Sequence, residues 1–252
     1  MTSATPLLSL RQVTKQFGKV VVASALDLEV PQGEALGIVG PNGAGKSSLF
    51  AMISGDLRPD AGAVLLDGVD VTASPAYRRT RAGIGRSYQI PRPFTHLTVF
   101  ENVLVCCHQG GGLRGREASE WAGEVLRRTG LVSQANDPAG RLGLLQRKRL
   151  EMARALATRP KLVLLDEVAG GLTEPEVAEL VEIVGDMQRE GLTVVWIEHV
   201  VHALAKAVPR MICLAGGRIV ADGTPHEVLA DDQVRELYLG GGPEGEDMEV
   251  PT

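Results

Sequence analysis

The apolar positions of this chain change period along its length. Between residues 7 and 39 they alternate, with Leu8, Leu10 and Val13, then Val20-Val21-Val22, then Leu26, Leu28 and Val30. A period of two puts one face of a pleated strand against a core. Pro31-Gln32-Gly33-Glu34 reads as a tight turn, and the unbroken apolar run Ala35–Val39 after it as a buried strand. A short strand is expected over 63–66, closed by Asp67-Gly68. A short basic helix is expected over about 75–81, with Ser74 as its cap and Pro75 in its first turn.

From about 95 to 157 the pattern turns helical. Thr98 and Glu101 have the spacing of a capping box at the head of one helix, and Gly110-Gly111-Gly112 interrupts it. Glu117–Thr129 reads as a second helix and Leu145–Ala157 as a third. After Pro160 strand-like runs return at Leu162–Leu165, Thr193–Ile197 and Met211–Leu214, with a helix over 175–189. Strands alternating with helices imply an α/β fold around a mainly parallel sheet. The segment 241–252, with Glu244, Glu246, Asp247 and Glu249 among glycine and proline, is expected to be a disordered acidic tail. No internal repeat is visible.

At 252 residues the chain is long enough for a full core in one large or two small domains. A net charge of −5 argues against bulk nucleic-acid binding, which uses a basic face. No apolar stretch approaches the roughly 20 residues that cross a bilayer. The start, Met1 to Pro6, lacks the pattern of a secretory signal. Cys106, Cys107 and Cys213 are an odd, poorly spaced set for disulfides or zinc and read as reduced thiols. A cytosolic chain is expected, one that can still dock on a membrane through a partner.

The strongest chemical signal is Gly40-Pro41-Asn42-Gly43-Ala44-Gly45-Lys46-Ser47, a G-x-x-x-x-G-K-[ST] loop between the Ala35–Val39 strand and a helical run from Ser48. Glycines let main-chain N–H groups turn toward phosphate oxygens, and the following helix N-terminus adds partial positive charge. Lys46 can reach β- and γ-phosphates, and the Ser47 hydroxyl can ligate Mg²⁺. Residues 40–48 are therefore the candidate nucleotide-binding set.

A second signal is the pair Asp166-Glu167 at the end of four apolar residues, at the carboxyl edge where α/β sheets bind ligands. Asp166 there would hold Mg²⁺ directly or through water, and Glu167 would polarise the water attacking the γ-phosphate. His199, just past Thr193–Ile197, could hydrogen-bond the γ-phosphate. His96, His108, His202 and His226 have no comparable setting.

With these residues in view, the chain resembles the ATP-binding cassette (ABC) ATPases over about 7–240. The ordered set is Phe17, Gly40–Ser47, Gln89, Asp166-Glu167 and His199. Gly83–Gln89, His96–Val103, Glu198-His199-Val200 and the ending Gly223–Val228 with Tyr238-Leu239-Gly240 are similar to the branched-chain amino-acid importer ATPases. The resemblance implies a nucleotide-binding α/β core, a small antiparallel sheet and a helical subdomain over about 90–157. It implies ATP and Mg²⁺ as ligands, Phe17 stacking on adenine, and Gln89 approaching Mg²⁺ and the attacking water. Pro91 and Pro93 fit a joint that moves, and Arg92, Phe94, His96 and Leu97 become candidate contacts to a membrane subunit.

One stretch departs from the family. The signature L-S-G-G-Q, or L-S-Y-G-Q in amino-acid importers, is here Leu142-Gly143-Leu144-Leu145-Gln146. In the family this segment reaches the γ-phosphate held by a dimer partner. Gly143 lacks the serine hydroxyl, and Leu145 is expected to place a side chain where backbone should meet phosphate. Val168 and Thr173 also depart, in place of the usual Pro and Asn or Asp.

The resemblance thus implies an ATPase subunit of an importer for branched-chain or related amino acids, peripheral on the inner face of the membrane. Its partners would be a second ABC ATPase chain with an intact signature, transmembrane permeases and, indirectly, a periplasmic substrate-binding protein. No nucleic-acid partner is expected. A lipid or polysaccharide exporter ATPase and a catalytically weak ATP-gated dimerisation module are the alternatives.

Overall fold

The computed structural model describes residues 6–239, and among these the chain forms two sheets flanked by helices. The acidic tail expected over 241–252 lies outside the described residues. The alternating N-terminal segment makes β1 (Leu8–Phe17) and β2 (Val20–Val30). With β4 (Ala61–Leu66) and β5 (Val69–Asp70) they form an antiparallel sheet in the order β2-β1-β4-β5. Its inward positions, among them Leu8, Leu10, Leu26 and Leu28, share one core with Leu49, Phe50 and Ile53 of α1 (Lys46–Ser54).

The second sheet has the order β10-β9-β3-β8-β7-β6. Its members are β3 (Ala35–Val39), β6 (Ile84–Arg86), β7 (Leu162–Asp166), β8 (Thr193–Ile197), β9 (Arg210–Ala215) and β10 (Arg218–Gly223). All neighbours pair in parallel except β10, which is antiparallel to β9. Every residue of β3, β7 and β8 is buried. Continuous apolar strands follow when helices cover both faces. The order places β8 between β3 and β7, so three neighbouring strands deliver residues 40–47, 198–199 and 166–167 to one edge.

Helices α3 (Val99–Gln109), α4 (Gly115–Arg128) and α5 (Leu144–Ala157) lie in sequence between β6 and β7 and share a core through Val103, Ala122, Leu126 and Leu150. The capping box of α3 is formed: the Glu101 N–H reaches Thr98 Oγ1 at 3.1 Å, and the Thr98 N–H reaches the Glu101 carboxylate at 2.7 Å. After β7 come α6 (Glu174–Arg189), α7 (Val201–Ala207), α8 (Pro225–Ala230) and α9 (Asp232–Leu239). Among the described residues, no helix is long and apolar enough to cross a membrane. The three cysteines are free thiols.

One local expectation needs correction. In α2 (Ala76–Ala82) the cap position is Pro75, and no side chain caps it. Ser74 contributes its carbonyl instead, to Arg79 Nε at 2.9 Å. Arg79 is buried and also donates to the carbonyls of Met52 at 2.6 Å and Ile53 at 2.9 Å. Arg78 and Arg81 of this basic helix stay exposed, while Arg79 turns inward and closes the carbonyl end of α1, where main-chain acceptors lack helical partners. The strand β6 was not anticipated, because three residues are too few to show a period.

Candidate functional site

The loop after β3 is shaped by two glycines that admit no substitute. Gly40 has φ 146° and Gly45 φ 103°. A Cβ on Gly40 would lie 2.1 Å from the Leu214 carbonyl oxygen, and one on Gly45 would lie 2.2 Å from that of Val22. The loop is thus pressed between β9 and β2. It is held there by the Ala44 N–H on Pro41 O (3.1 Å), the Gly217 N–H on Ala44 O (3.3 Å) and the Gly40 N–H on Tyr238 Oη (2.9 Å). Lys46 is buried, its ammonium on the Gly40 and Pro41 carbonyls. Residues 42–48 line a cavity of ≈ 290 Å³ together with Val20, Val22, Glu167 and His199. A lysine and a helix N-terminus at one cavity favour an anion.

Asp166 ends β7 in register with Ile197, which pairs in turn with Ile38, two residues before Gly40. Its Oδ2 accepts from Arg86 Nη2 at 3.1 Å, and its N–H donates to Ser87 Oγ at 3.2 Å. Burial pushes the carboxyl above its ordinary pKa, with Arg86 opposing. Oδ1 is buried with no hydrogen-bond partner among the described residues. An orphaned carboxylate oxygen inside a protein calls for a ligand. Ser47, Gln89 and Asp166 line a second cavity, of ≈ 550 Å³, that meets the first at Ser47. A hydroxyl, an amide oxygen and a carboxylate are hard oxygen donors of the kind Mg²⁺ takes beside phosphate, so these residues fit that ion.

Glu167 leaves the sheet in the left-handed region, φ 48°, with its N–H on Ile197 O at 2.9 Å. Its carboxylate is held from two sides. Oε1 lies 3.0 Å from His199 Nε2, and Oε2 accepts from the Gln89 amide. Gln89, Glu167 and His199 thus come together from three separate segments, and Glu167 and His199 share the phosphate-loop cavity. A carboxylate so oriented can act as a general base.

Phe17 ends β1 beside the turn at Gly18 and is 52% exposed, so it is no core residue. The Lys15 ammonium lies 5.3 Å from its ring centroid. Phe17 does not itself line the cavity, although its register partner Val20 does.

The altered signature sits at the head of α5. Gly143 is the cap residue and offers no side-chain bond. Leu145 is buried in the shared helical core, which corrects the expectation that its side chain obstructs a phosphate: the helix turns it inward. Leu144 is the exposed leucine, at 46%, and its Cδ2 stands 3.3 Å from where a Gly171 Cβ would be. Val168 is fully buried. The main-chain N–H and hydroxyl of Thr173 both donate to Glu176 at 2.8 Å, opening α6.

Sequence reasoning missed the buried polar frame around these groups. Arg86 ties Asp166 to Asp56 at 3.0 Å. Glu151 accepts from the Arg92 N–H at 3.0 Å and from Arg154 at 2.6 Å. Buried Asn102 bonds Phe94 through both main-chain groups, at 2.8 and 3.0 Å. These contacts pin the segment after Gln89 to α3 and α5, while Arg92, Phe94 and His96 stay exposed and Leu97 is half-buried. One signal was available: Lys148 and Glu151 interrupt the apolar period of α5.

Comparison with known proteins gives the family and the fold. The family profile described as ABC transporter matches residues 23–170, and that of the branched-chain amino acid ATP-binding cassette transporter matches 218–244. The chain is 34% identical to the lipopolysaccharide export system ATP-binding protein LptB of Haemophilus influenzae, over 93% of this chain and 97% of the relative. It is 32% identical to the high-affinity branched-chain amino acid transport ATP-binding protein BraF of Pseudomonas aeruginosa, over 93% and 98%. Among solved structures, an ATP-binding cassette of an ABC transporter in its ADP conformation superposes with a TM-score of 0.85 at 29% identity, covering 93% of this chain and 99% of that one. A dimeric cassette bound to ADP and Pi superposes with a TM-score of 0.77 at 26% identity, covering 86% and 98%.

Proposed function

The chain belongs to the ATP-binding cassette transporter ATPases, and on that premise we propose that it powers an importer of branched-chain or related amino acids through ATP hydrolysis at Glu167. The observation that carries the catalytic part is the grip of Gln89 and His199 on the Glu167 carboxylate at the mouth of the phosphate-loop cavity. Residues 40–48 cradle the phosphates, with Lys46 on the β- and γ-groups, and Phe17 stacks on adenine. Ser47, Gln89 and Asp166 would hold Mg²⁺, which when bound neutralises charge on the phosphates. Glu167 takes the proton of the attacking water, and His199 senses the γ-phosphate. Replacing Glu167 with Gln should lower ATPase kcat by about 10²–10⁴-fold while ATP still binds. Unchanged turnover would sink this assignment and favour an ATP-gated clamp.

Import is supported by the branched-chain profile over 218–244. Overall identity does not favour it, since the chain is 34% identical to LptB and 32% to BraF, and the LptB likeness sustains export of a lipid or polysaccharide as the second reading. Uptake of labelled leucine, isoleucine and valine in cells carrying Glu167→Gln separates the two. Loss of uptake supports import; intact uptake with defective envelope lipid or polysaccharide overturns it.

The chain works on the cytoplasmic face of the membrane, docked on permease subunits through the exposed segment around Arg92, Phe94 and His96, with a periplasmic substrate-binding protein upstream. Its dimer partner is a different cassette with an intact signature. Gly143 supplies no hydroxyl to the partner's nucleotide, whereas the phosphate loop, Asp166 and Glu167 of this chain are complete. One ATP site of the pair is then active and the other mainly structural.

A further inference from the structure

Helix α5, which starts at the altered signature, sends a buried ammonium back to the catalytic strand ends. Lys148 is 5% exposed, and its Nζ donates to the main-chain carbonyl of Gln89 at 3.0 Å and to that of Glu167 at 2.8 Å. Both acceptors are backbone, so the contact fixes chain position. The two residues also meet through their side chains, the Gln89 amide donating to the Glu167 carboxylate. One ammonium therefore holds both main-chain anchors of a side-chain pair.

Glu167 needs such a restraint. A φ of 48° is disfavoured for any residue with a Cβ and persists only where the surroundings over-determine it. Two tethers come from β8 and its end: Ile197 O accepts the Glu167 N–H at 2.9 Å, and the buried Glu198 carboxylate accepts the Ala169 N–H at 2.6 Å. Lys148 adds a third, from a helix outside the sheet. Nearby carboxylates of Glu198, Glu167, Asp166 and Glu151 compensate the charge that burial penalises.

We propose that Lys148 is a positioning residue for ATP hydrolysis, clamping the backbones of Gln89 and Glu167 so that α5 and this pair move as one unit. The inference rests on Glu167 as the catalytic base. It assigns a task to the helix that begins in the altered signature: whatever that signature contributes to the partner's nucleotide, the same helix orients the base for this chain's own.

The test uses the transporter complex isolated through a tag on this chain, with Lys148→Met, Lys148→Arg and Glu167→Gln compared in parallel. Lys148→Met should lower kcat by about 10–100-fold, the scale of a catalytic group displaced by about 1 Å, with ATP KM within about twofold. Lys148→Arg, which keeps a donor cation for both carbonyls, should retain at least about a third of the rate. A Lys148→Met enzyme within about twofold of the native rate overturns the proposal, as does a rate loss matched by lost ATP binding or an arginine variant as impaired as the methionine one. Should Lys148→Met not fold, as judged by its melting curve, Lys148→Gln is read by the same criteria. If Glu167→Gln hydrolyses ATP normally, the assignment of the base falls and Lys148 with it. If Glu167→Gln is inactive and Lys148→Met is not, only the positioning role falls.

Discussion

The backbone N–H of Gly40, first residue of the phosphate loop, donates to the phenolic oxygen of Tyr238, 2.9 Å away and 198 residues later. This bond fastens the last described helix, α9, to the start of the loop. Tyr238 lies within 218–244, the stretch that matches the branched-chain transporter profile. Gly40 cannot shift to find another acceptor, because its Cα already packs against the Leu214 carbonyl.

Tyr238→Phe should therefore cost about 1–3 kcal/mol, the penalty of leaving a buried N–H unpaired. For a chain of this size that is a fall in Tm of roughly 2–12 °C. ATP affinity should weaken with it, because the loop loses a fixed end. Thermal melting with and without nucleotide checks both; an unchanged Tm and unchanged ATP affinity would show that α9 does not hold the loop.

Asp166 should oppose folding in the ligand-free protein. Burial raises its carboxyl pKa above the unfolded value, so its ionised form is disfavoured in the fold. A group shifted upward stabilises fully below its unfolded pKa, and that contribution is lost as pH rises through the folded pKa. Once the pH exceeds the folded pKa both states are ionised and the native protein carries the penalty; Asp166→Asn does not. The variant should melt higher than the native chain at pH 8, with the difference shrinking as the pH falls toward the carboxyl range. Magnesium and ATP together should stabilise the native chain more than the variant, which keeps the phosphate loop but lacks the carboxylate. A lower Tm for Asp166→Asn at pH 8 would contradict this.

Much of this site is legible in the sequence alone, and the reason differs by residue. Gly40, Gly45, Lys46 and Ser47 lie within one short loop, so their spacing carries the geometry. Asp166 and Glu167 follow an apolar run that could only be a buried strand, which places them at a sheet edge. That β8 separates them from the phosphate loop could not be read, because strand order depends on long-range pairing. The roles of Lys148, Glu198 and Tyr238 were missed because each bonds main-chain atoms distant in sequence, and a main-chain partner leaves no residue type to notice. Leu145 was misjudged because its direction depends on where α5 begins.

Phe17 is the adenine platform in the proposed reading, and its exposure makes the role separable from folding. Phe17→Ala should weaken ATP binding by about 1–3 kcal/mol, roughly 5- to 150-fold, on the scale of base stacking. Because the ring is half exposed, stability should change by no more than about 0.5 kcal/mol. Binding of inorganic tripolyphosphate, which has no base, should be unaffected. Equal losses for ATP and tripolyphosphate would place the effect in the phosphate loop instead.

The altered signature can be tested only with its geometry in mind. Leu145→Gly would empty a core position and add glycine to a helix, costing roughly 3–5 kcal/mol and a fall in Tm of about 6–20 °C. Any activity read from it would report unfolding. Gly143→Ser is the informative change: the residue stands at the cap of α5, where serine is at least as good as glycine. A Cβ there meets only the Gln146 side chain, at 2.8 Å, which can swing aside. Paired with Leu144→Gly on the exposed surface, it restores a hydroxyl and clears the approach to the partner's nucleotide. One preorganised donor is worth about 10²–10³ in rate at such a site. In the complex, total ATPase should rise as the structural site begins to turn over, while the native chain alone stays weak. Strong ATPase from the isolated native chain, unchanged by these substitutions, would remove the case for an asymmetric pair.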